Sequence, residues 1–178
     1  MKKFIISIDA GTTSNRSILF DLKGKPVYSS QKEFTQYFPK SGWVEHNPDE
    51  IWKTTIKTLK DVIQKAKKLK GKILTIGITN QRETTVLWDK KTGKPVYKAI
   101  VWQDRRTEEF CKKLRKQNKD TMVFNKTGLL IDSYFSGTKI KWILDNVSKA
   151  RQLMNKKQLL FGTIDSFLIW RLTKGKVH

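Results

Sequence analysis

Three short apolar runs separated by tight turns open the chain, and their order restricts how it can fold. Residues 4–9, 16–21 and 27–34 each have the β-branched and aromatic character of a strand. Strands connected this tightly pair antiparallel, so the sequence predicts a three-stranded meander. A long amphipathic helix pattern follows, with Asn47 as its N-cap residue and Pro48 at its first position. We therefore expect one long helix that packs its apolar face on this sheet.

The remaining segments predict an α/β domain in which a mixed sheet is flanked by helices. Glu50, three residues after Asn47, can reach back to the N-cap as in a capping box. Further strands are expected at residues 72–79, 84–89 and 96–101, helices at residues 108–117 and 137–146, and a short strand that enters an apolar helix at residues 159–172. A length of 178 residues suffices for one domain with a core, or for one lobe of a larger protein.

The formal charge of +21 at pH 7 first suggests nucleic acid or an anionic membrane surface as a partner. Most of the 37 basic residues are lysines, however, and they are scattered along the whole chain. Specific recognition of bases and phosphates favours the planar, bidentate arginine side chain. The pattern therefore indicates a general enrichment in lysine, and we expect no nucleic-acid partner.

The cysteine and histidine content argues against several kinds of site. Cys111 is the only cysteine, so a disulfide framework or a multi-cysteine metal centre is excluded. His46 and His178 lack the spacing of zinc ligands. The apolar run near the N-terminus is interrupted at Asp9, and no run approaches the roughly 20 residues that span a bilayer. We expect no membrane insertion and a cytoplasmic location.

The turn between the first two runs is the first candidate site. No GxGxxG or P-loop spacing occurs in the chain, so a nucleotide would need a different cradle. Gly11 permits a backbone conformation in which successive amides form an anion nest, and the hydroxyls of residues 12–14 add donors. Asp9 is a hard oxygen ligand suited to Mg²⁺, and Arg16 adds positive charge. The alternative, which the turn alone favours, is a hairpin whose side chains bond only its own backbone.

Two further polar segments follow strand-like runs. Arg82 beside Glu83 offers donors and acceptors to a small hydroxylated ligand, or else belongs to a solvated loop with an incidental salt bridge. Trp102 can form an apolar wall against the carbon skeleton of a ligand, although an aromatic residue at a strand end is more often part of the core. The same alternatives apply to Tyr134, whose phenol can reach a hydroxyl group.

Six segments that together cover essentially the whole chain carry a family resemblance. They are DAGTTSNR from Asp9, GWVEHNPDEIW from Gly42, GITNQRETT from Gly77, GKPVYKAIVWQDRRT from Gly93, SYFSGTKIKWILD from Ser133 and LLFGTIDSFLIWRLTKGKVH from Leu159. In this order they resemble the FGGY carbohydrate kinases, and in particular the members that phosphorylate glycerol. The resemblance implies an actin-like, ribonuclease H-like α/β lobe, which is duplicated in the family, with the active site in the cleft between the lobes.

The resemblance also implies a role for each candidate residue in transfer of the γ-phosphoryl group of ATP to a terminal hydroxyl of glycerol. Expected are Thr12, Thr13 and Ser14 at the ATP phosphates, Arg16 at ADP, Asp9 at Mg²⁺, Arg82, Glu83 and Tyr134 as hydrogen-bond partners of glycerol, and Trp102 packed against it. ATP and Mg²⁺ are the implied cofactors, and the full-length protein is expected to be a homo-oligomer.

The resemblance assigns no catalytic base to this chain. In the family a general-base aspartate and the adenine pocket lie after the position of His178, so residues 1–178 are expected to form an incomplete N-terminal domain that is inactive alone. Exposed apolar surface is expected around residues 159–172, where the remainder of the domain would pack. The alternatives are a non-catalytic truncated relic and an actin-like nucleotide-binding module that acts through a partner.

Overall fold

The computed structural model describes the whole chain from Met1 to His178 as a mixed α/β arrangement. The strands are β1 (Lys3–Ala10), β2 (Ser14–Asp21), β3 (Pro26–Glu33), β4 (Gln36–Tyr37), β5 (Glu45–His46), β6 (Lys72–Asn80), β7 (Val86–Asp89), β8 (Ala99–Ile100) and β9 (Leu159–Gly162). The helices are α1 (Pro48–Lys68), α2 (Glu108–Lys116), α3 (Asp120–Thr127), α4 (Ser136–Asn146), α5 (Ser148–Asn155) and α6 (Ile164–Leu172). None of these helices has both the length and the apolar character needed to cross a bilayer.

A four-stranded sheet in the order β3-β2-β1-β6 forms the centre of the fold. Strands β1, β2 and β3 pair antiparallel in sequence, which confirms the predicted meander. Strand β6 pairs parallel with β1, so that Asp9 is opposite Thr79 and Ala10 is opposite Asn80 where the two strands end. The β1–β2 turn and the segment after β6 therefore lie at the same edge of the sheet, and both carry polar candidate residues.

Helix α1 begins at the cap that the sequence predicts. The Asn47 side chain accepts a hydrogen bond from the Asp49 amide at 3.0 Å, and Pro48 occupies the first turn. The prediction that Glu50 accepts a hydrogen bond from the N-cap backbone amide is wrong. Its carboxylate instead accepts from the Tyr37 hydroxyl at 2.6 Å and from the Asn47 side-chain amide at 3.3 Å, because the aromatic loop before the helix supplies a stronger donor.

The apolar face of α1 packs on the central sheet, as expected. The buried residues of this interface are Phe4, Ile6, Ile8, Leu19, Leu59, Val62 and Ala66. Two polar contacts cross the same interface: Asn15 Nδ2 donates to the Ile51 carbonyl at 2.9 Å, and the hydroxyls of Ser17 and Thr58 are 2.9 Å apart. Because polar groups buried in an apolar interface must find their partners, these contacts specify how the helix is placed on the sheet.

Two small sheets lie beside the central one, with β7 paired to β9 and β5 paired to both β4 and β8. The strands predicted at residues 84–89 and 96–101 are present but shorter. Glu83 adopts a left-handed φ of 63°, so the chain turns before the first of them can begin. Pro95 makes only an isolated bridge with Trp88 and cannot donate to a ladder, which delays the second strand.

The second half of the chain is largely helical, and the helices expected at residues 108–117 and 137–146 are confirmed as α2 and α4. The strand and helix expected at residues 159–172 are confirmed as β9 and α6. The exposed apolar surface expected at residues 159–172 is mostly absent, because Ile164, Phe167 and Leu168 are fully buried in the core beside β7. Leu74 and Ile76 of the edge strand β6 are exposed instead.

Candidate active site

The β1–β2 turn is held tightly by its own backbone. The Gly11 amide donates to the Ser14 carbonyl at 3.0 Å, and the Thr13 carbonyl accepts from the Phe34 amide at 3.3 Å. The αR–αL form of an anion nest is not present, since neither Gly11 nor Thr12 has a positive φ. Glycine is needed here because a Cβ would lie 3.1 Å from the Ser14 carbonyl oxygen. The Thr12 and Thr13 amides make no hydrogen bond within the chain, so the turn offers these amides as well as its hydroxyl groups to an anion.

Asp9 and Arg16 are paired across the β1–β2 ladder near this turn. Arg16 Nη2 donates to Asp9 Oδ2 at 3.1 Å, and the two side chains are about half exposed. The other carboxylate oxygen of Asp9 has no hydrogen-bond donor. No group of three or more histidine, cysteine or acidic side chains converges anywhere in the chain. A lone carboxylate beside a phosphate cradle still fits Mg²⁺, because proteins often bind this ion through one or two carboxylates together with substrate phosphates.

A cleft joins the turn to residues that are distant in sequence. Trp102 Nε1 donates to Thr12 Oγ1 at 3.2 Å, and the Trp102 ring lies 6.0 Å from the Tyr134 ring. The cavity between them has a volume of about 280 Å³, and its lining residues are Thr12, Asn80, Gln81, Arg82, Trp102 and Tyr134. Four of the residues singled out from the sequence, Thr12, Arg82, Trp102 and Tyr134, thus meet around one cavity.

Two polar side chains of this cleft, those of Arg82 and Tyr134, are free to bind a ligand. The exposed Arg82 side chain makes no hydrogen bond or ion pair, so the incidental salt bridge of the alternative interpretation is absent. The Tyr134 hydroxyl also has no partner within the chain. Trp102 and Tyr134 are both partly exposed, so neither is a core residue. An aromatic wall beside unpaired hydrogen-bond donors suits a small polyhydroxylated molecule.

Glu83 follows Arg82 but is not one of the residues that line the cavity, and its side chain contacts helix α4. Its Oε2 atom accepts hydrogen bonds from the Ser136 amide and from the Ser136 hydroxyl, each at 3.2 Å. Phe135, the N-cap residue of α4, provides no capping side chain, so the Glu83 carboxylate caps the helix and benefits from its dipole. The Oε1 atom of Glu83 makes no hydrogen bond and remains available to a ligand.

Some of the predicted phosphate residues do not line the cavity. Thr13 is exposed, and the Ser14 hydroxyl accepts a hydrogen bond from Gln31 Nε2 at 2.9 Å. The Asp9–Arg16 pair also lies outside the lining. Thr12 therefore lines the cavity, whereas the other candidate phosphate residues lie in or next to the β1–β2 turn, outside the lining.

Three residues that the sequence analysis did not single out support the cleft. Gln81 Nε2 donates to the Gly11 carbonyl at 3.1 Å, and Gln81 Oε1 accepts from the Thr84 hydroxyl at 3.0 Å. Lys139 is fully buried next to Glu83 and Tyr134. The sequence contains a signal for the burial of Lys139. It stands four residues before the apolar Ile143, and residues four apart lie on the same face of a helix, here the buried face of α4.

Comparison with known families and proteins gives consistent matches. A model of the FGGY family of carbohydrate kinases, N-terminal domain, matches residues 4–178. The sequence is 58% identical over 178 residues to a glycerol kinase of Alkaliphilus metalliredigens and 60% identical over 177 residues to one of Oceanobacillus iheyensis. These alignments cover 100% and 99% of this chain.

Solved structures show the same similarity. The crystal structure of Plasmodium falciparum glycerol kinase with ADP superposes with a TM-score of 0.93 at 36% identity over 99% of this chain. A gluconate kinase from Lactobacillus acidophilus superposes with a TM-score of 0.83 over 96% of the chain, and its 24% identity indicates a shared fold alone. The chain spans only 35–36% of the length of the glycerol kinases it matches.

Proposed function

This chain belongs to the FGGY family of carbohydrate kinases, and from that membership we propose that the complete protein transfers the γ-phosphoryl group of ATP to a terminal hydroxyl of glycerol. The products are sn-glycerol 3-phosphate and ADP. The observation that carries the proposal is the cleft in which Thr12 contacts Trp102, with Arg82 and Tyr134 lining the same cavity. A phosphate-binding hydroxyl and polyol-binding groups are thereby next to each other.

In this proposal the acceptor end of the cleft holds glycerol by hydrogen bonds from both sides. The unpaired Arg82 guanidinium and Tyr134 hydroxyl donate to glycerol oxygens, and Glu83 Oε1 accepts from a glycerol hydroxyl. The Trp102 ring covers the carbon skeleton. Groups fixed on both faces of a small triol orient one terminal hydroxyl, and orientation is a main source of rate acceleration in phosphoryl transfer.

The donor end uses the β1–β2 turn. The hydroxyls of Thr12, Thr13 and Ser14 donate to ATP phosphate oxygens, and Arg16 adds positive charge. Asp9, with one carboxylate oxygen free of the Arg16 contact, would hold Mg²⁺. When bound, the metal ion supplies charge neutralisation on the phosphate oxygens.

The general base of the reaction is proposed to come from outside residues 1–178. Glu83 Oε2 accepts two hydrogen bonds from Ser136 and Asp9 Oδ2 accepts one from Arg16, and the remaining oxygen of each carboxylate is assigned here to glycerol and to Mg²⁺ respectively. A base must be within hydrogen-bond reach of the proton it removes. We accordingly propose that residues 1–178 form an incomplete N-terminal domain whose cleft is closed by a second lobe. We further propose that the complete protein is a homo-oligomer in the cytoplasm, where ATP is available.

The substrate is tested with the purified complete protein, ATP and Mg²⁺. We expect ATP-dependent phosphorylation of glycerol, with gluconate and xylulose assayed in parallel as alternative acceptors. Product is measured as sn-glycerol 3-phosphate, with ADP release as an independent readout. A preference for gluconate or xylulose would refute the substrate, whereas ATP binding without any phosphoryl transfer would favour a non-catalytic nucleotide-binding module.

A further inference from the structure

Lys139 of helix α4 is a charged side chain with no exposed surface. Lysine is almost never fully buried without a partner, because removing an ammonium group from water costs several kcal/mol unless other groups compensate. No carboxylate lies within ion-pair distance of Lys139. The cost of burying the ammonium group must therefore be offset by groups other than carboxylates.

The Lys139 ammonium donates to two main-chain carbonyls from different parts of the chain. One is the carbonyl of Glu83, at 3.4 Å, and the other is the carbonyl of Tyr134, at a short distance. The ammonium also lies 6.0 Å from the centre of the Tyr134 ring. The residues that it joins are 51 positions apart in sequence (134 minus 83). Both are proposed to bind the acceptor, one from each side of the cleft.

The backbone at Glu83 needs this support. Its φ of 63° is in the left-handed region, which is unfavourable for a residue other than glycine unless its surroundings hold it there. The Ser136 hydroxyl, whose one proton is shared between two acceptors, lies 3.2 Å from Glu83 Oε2 and 3.3 Å from the Glu83 carbonyl that accepts from Lys139. Helix α4 thus fixes Glu83 through its carboxylate and through its carbonyl, and Lys139 extends the same support to Tyr134.

We propose that Lys139 is a positioning residue that sets the distance between Glu83 and Tyr134, and thereby the fit of the cleft to a small polyol. The inference rests on the proposed function, because it concerns the same acceptor site. Lys139 itself does not line the cavity and does not touch the acceptor. Its loss should weaken binding of the polyol and leave the ATP site at the β1–β2 turn largely unaffected.

The test compares three variants of the complete protein. Lys139→Met removes the charge and keeps a similar side-chain length. Lys139→Arg keeps the positive charge and provides N–H groups that can donate to both carbonyls. Lys141→Met changes an exposed lysine on the same helix and is the matched control. We expect Lys139→Met to raise the KM for glycerol at least about tenfold while the KM for ATP changes less than about twofold. Lys139→Arg should recover part of the loss, and Lys141→Met should behave as the unmodified protein.

A pH profile separates positioning from a general structural role. Burial lowers the pKa of Lys139 to about 8, so the KM for glycerol should rise between pH 7 and pH 9 as the ammonium loses its proton, and Lys139→Arg should abolish that rise. The other charged groups that face the ammonium are Glu83, Asp104, Asp132 and Arg105. The pH dependence of the glycerol KM in Lys141→Met, which retains these four groups and Lys139, is the reference for the comparison.

The possible outcomes distinguish this inference from the proposed function. If the unmodified protein does not phosphorylate glycerol, the proposed function fails and no variant is needed. If it does, an unchanged glycerol KM in Lys139→Met, or an equal rise in both KM values, overturns the positioning role. If Lys139→Met does not fold, the pH dependence of the unmodified protein against that of Lys139→Arg decides, and identical profiles overturn it.

Discussion

His46 is a buried side chain whose protonation should report directly on stability. It is fully buried, its Nε2 atom is within hydrogen-bond distance of Gln36 Oε1, and its ring packs edge-on against Phe34. The Nδ1 atom has no partner. Burial therefore disfavours the charged imidazolium and lowers the pKa of His46 to about 4.

A native pKa below the unfolded value near 6.5 means that the unfolded chain binds more protons between pH 6.5 and pH 4. The stability that the neutral ring provides is complete above pH 6.5 and is lost as the pH falls towards 4. The loss amounts to about 3 kcal/mol at the lower limit. We expect urea titrations to show a steeper fall in the free energy of unfolding for the unmodified chain than for His46→Gln. Equal slopes would contradict the assignment, and His178→Gln, at an exposed position, is the control.

Residue-level roles could be predicted only in part from the sequence. The N-cap at Asn47 and the polar character of the β1–β2 turn follow from local residue preferences, which a sequence displays directly. The contact between Trp102 and Thr12 joins residues 90 positions apart and depends on the fold. Lys139 was missed because a lysine on a helix is ordinarily solvated, and only its carbonyl partners explain its burial.

At the scale of elements, close packing between β9 and α6 limits one position to glycine. A Cβ at Gly162 would lie 2.6 Å from Ser166 Cβ and 3.0 Å from the ring of the fully buried Trp88. We expect Gly162→Ala to lower the free energy of unfolding by about 1–3 kcal/mol. Gly77→Ala is the matched control on β6, since a Cβ there meets nothing within 4 Å, and it should be neutral or slightly stabilising. Chemical denaturation measures both, and equal effects would contradict the packing.

Arg106 links the small sheet around β5 to helix α4. Its side chain is fully buried, forms ion pairs with Asp104 at 2.8 Å and Glu45 at 2.9 Å, and stacks 3.8 Å from the centre of the Trp43 ring. Removing one partner of a buried ion pair leaves an uncompensated charge, so Arg106→Met should cost about 3–5 kcal/mol of unfolding free energy. Arg151→Met, which removes an exposed ion pair, should cost less than about 1 kcal/mol. A cost below that of Arg151→Met in the same denaturation experiment would contradict the role of Arg106.

The element order was easier to predict than the small sheets. Alternating apolar residues define β1, β2 and β6, and the long amphipathic pattern defines α1. Strand β8 is the short form of the strand predicted at residues 96–101, whereas β4 and β5 have two residues each, too few for a pattern, and β5 pairs with a distant segment, as His46 does with Ala99. The residues of β4 and β5 therefore gave no local signal.

At the scale of the whole molecule, residues 1–178 carry both the turn proposed to bind phosphate and the groups proposed to bind the acceptor. We expect residues 1–178 alone to show negligible kinase activity and weak nucleotide affinity, because the base and the opposing wall are proposed to come from a second lobe. The measurement is ATP-dependent formation of sn-glycerol 3-phosphate by the isolated chain, with the complete protein assayed in parallel. Turnover by the isolated chain at about 1–100 s⁻¹, the ordinary range for kinases, would show that the site is complete without it.

The central claim is that the cavity between Thr12, Arg82, Trp102 and Tyr134 binds glycerol for phosphorylation. The most direct measurement is kcat/KM for glycerol in Arg82→Ala of the complete protein, beside Arg151→Ala as an exposed arginine far from the cavity lining. We predict that Arg82→Ala lowers kcat/KM for glycerol about 100-fold or more and leaves the KM for ATP nearly unchanged. Arg151→Ala should not lower kcat/KM for glycerol. Equal kcat/KM values for the two variants would contradict it.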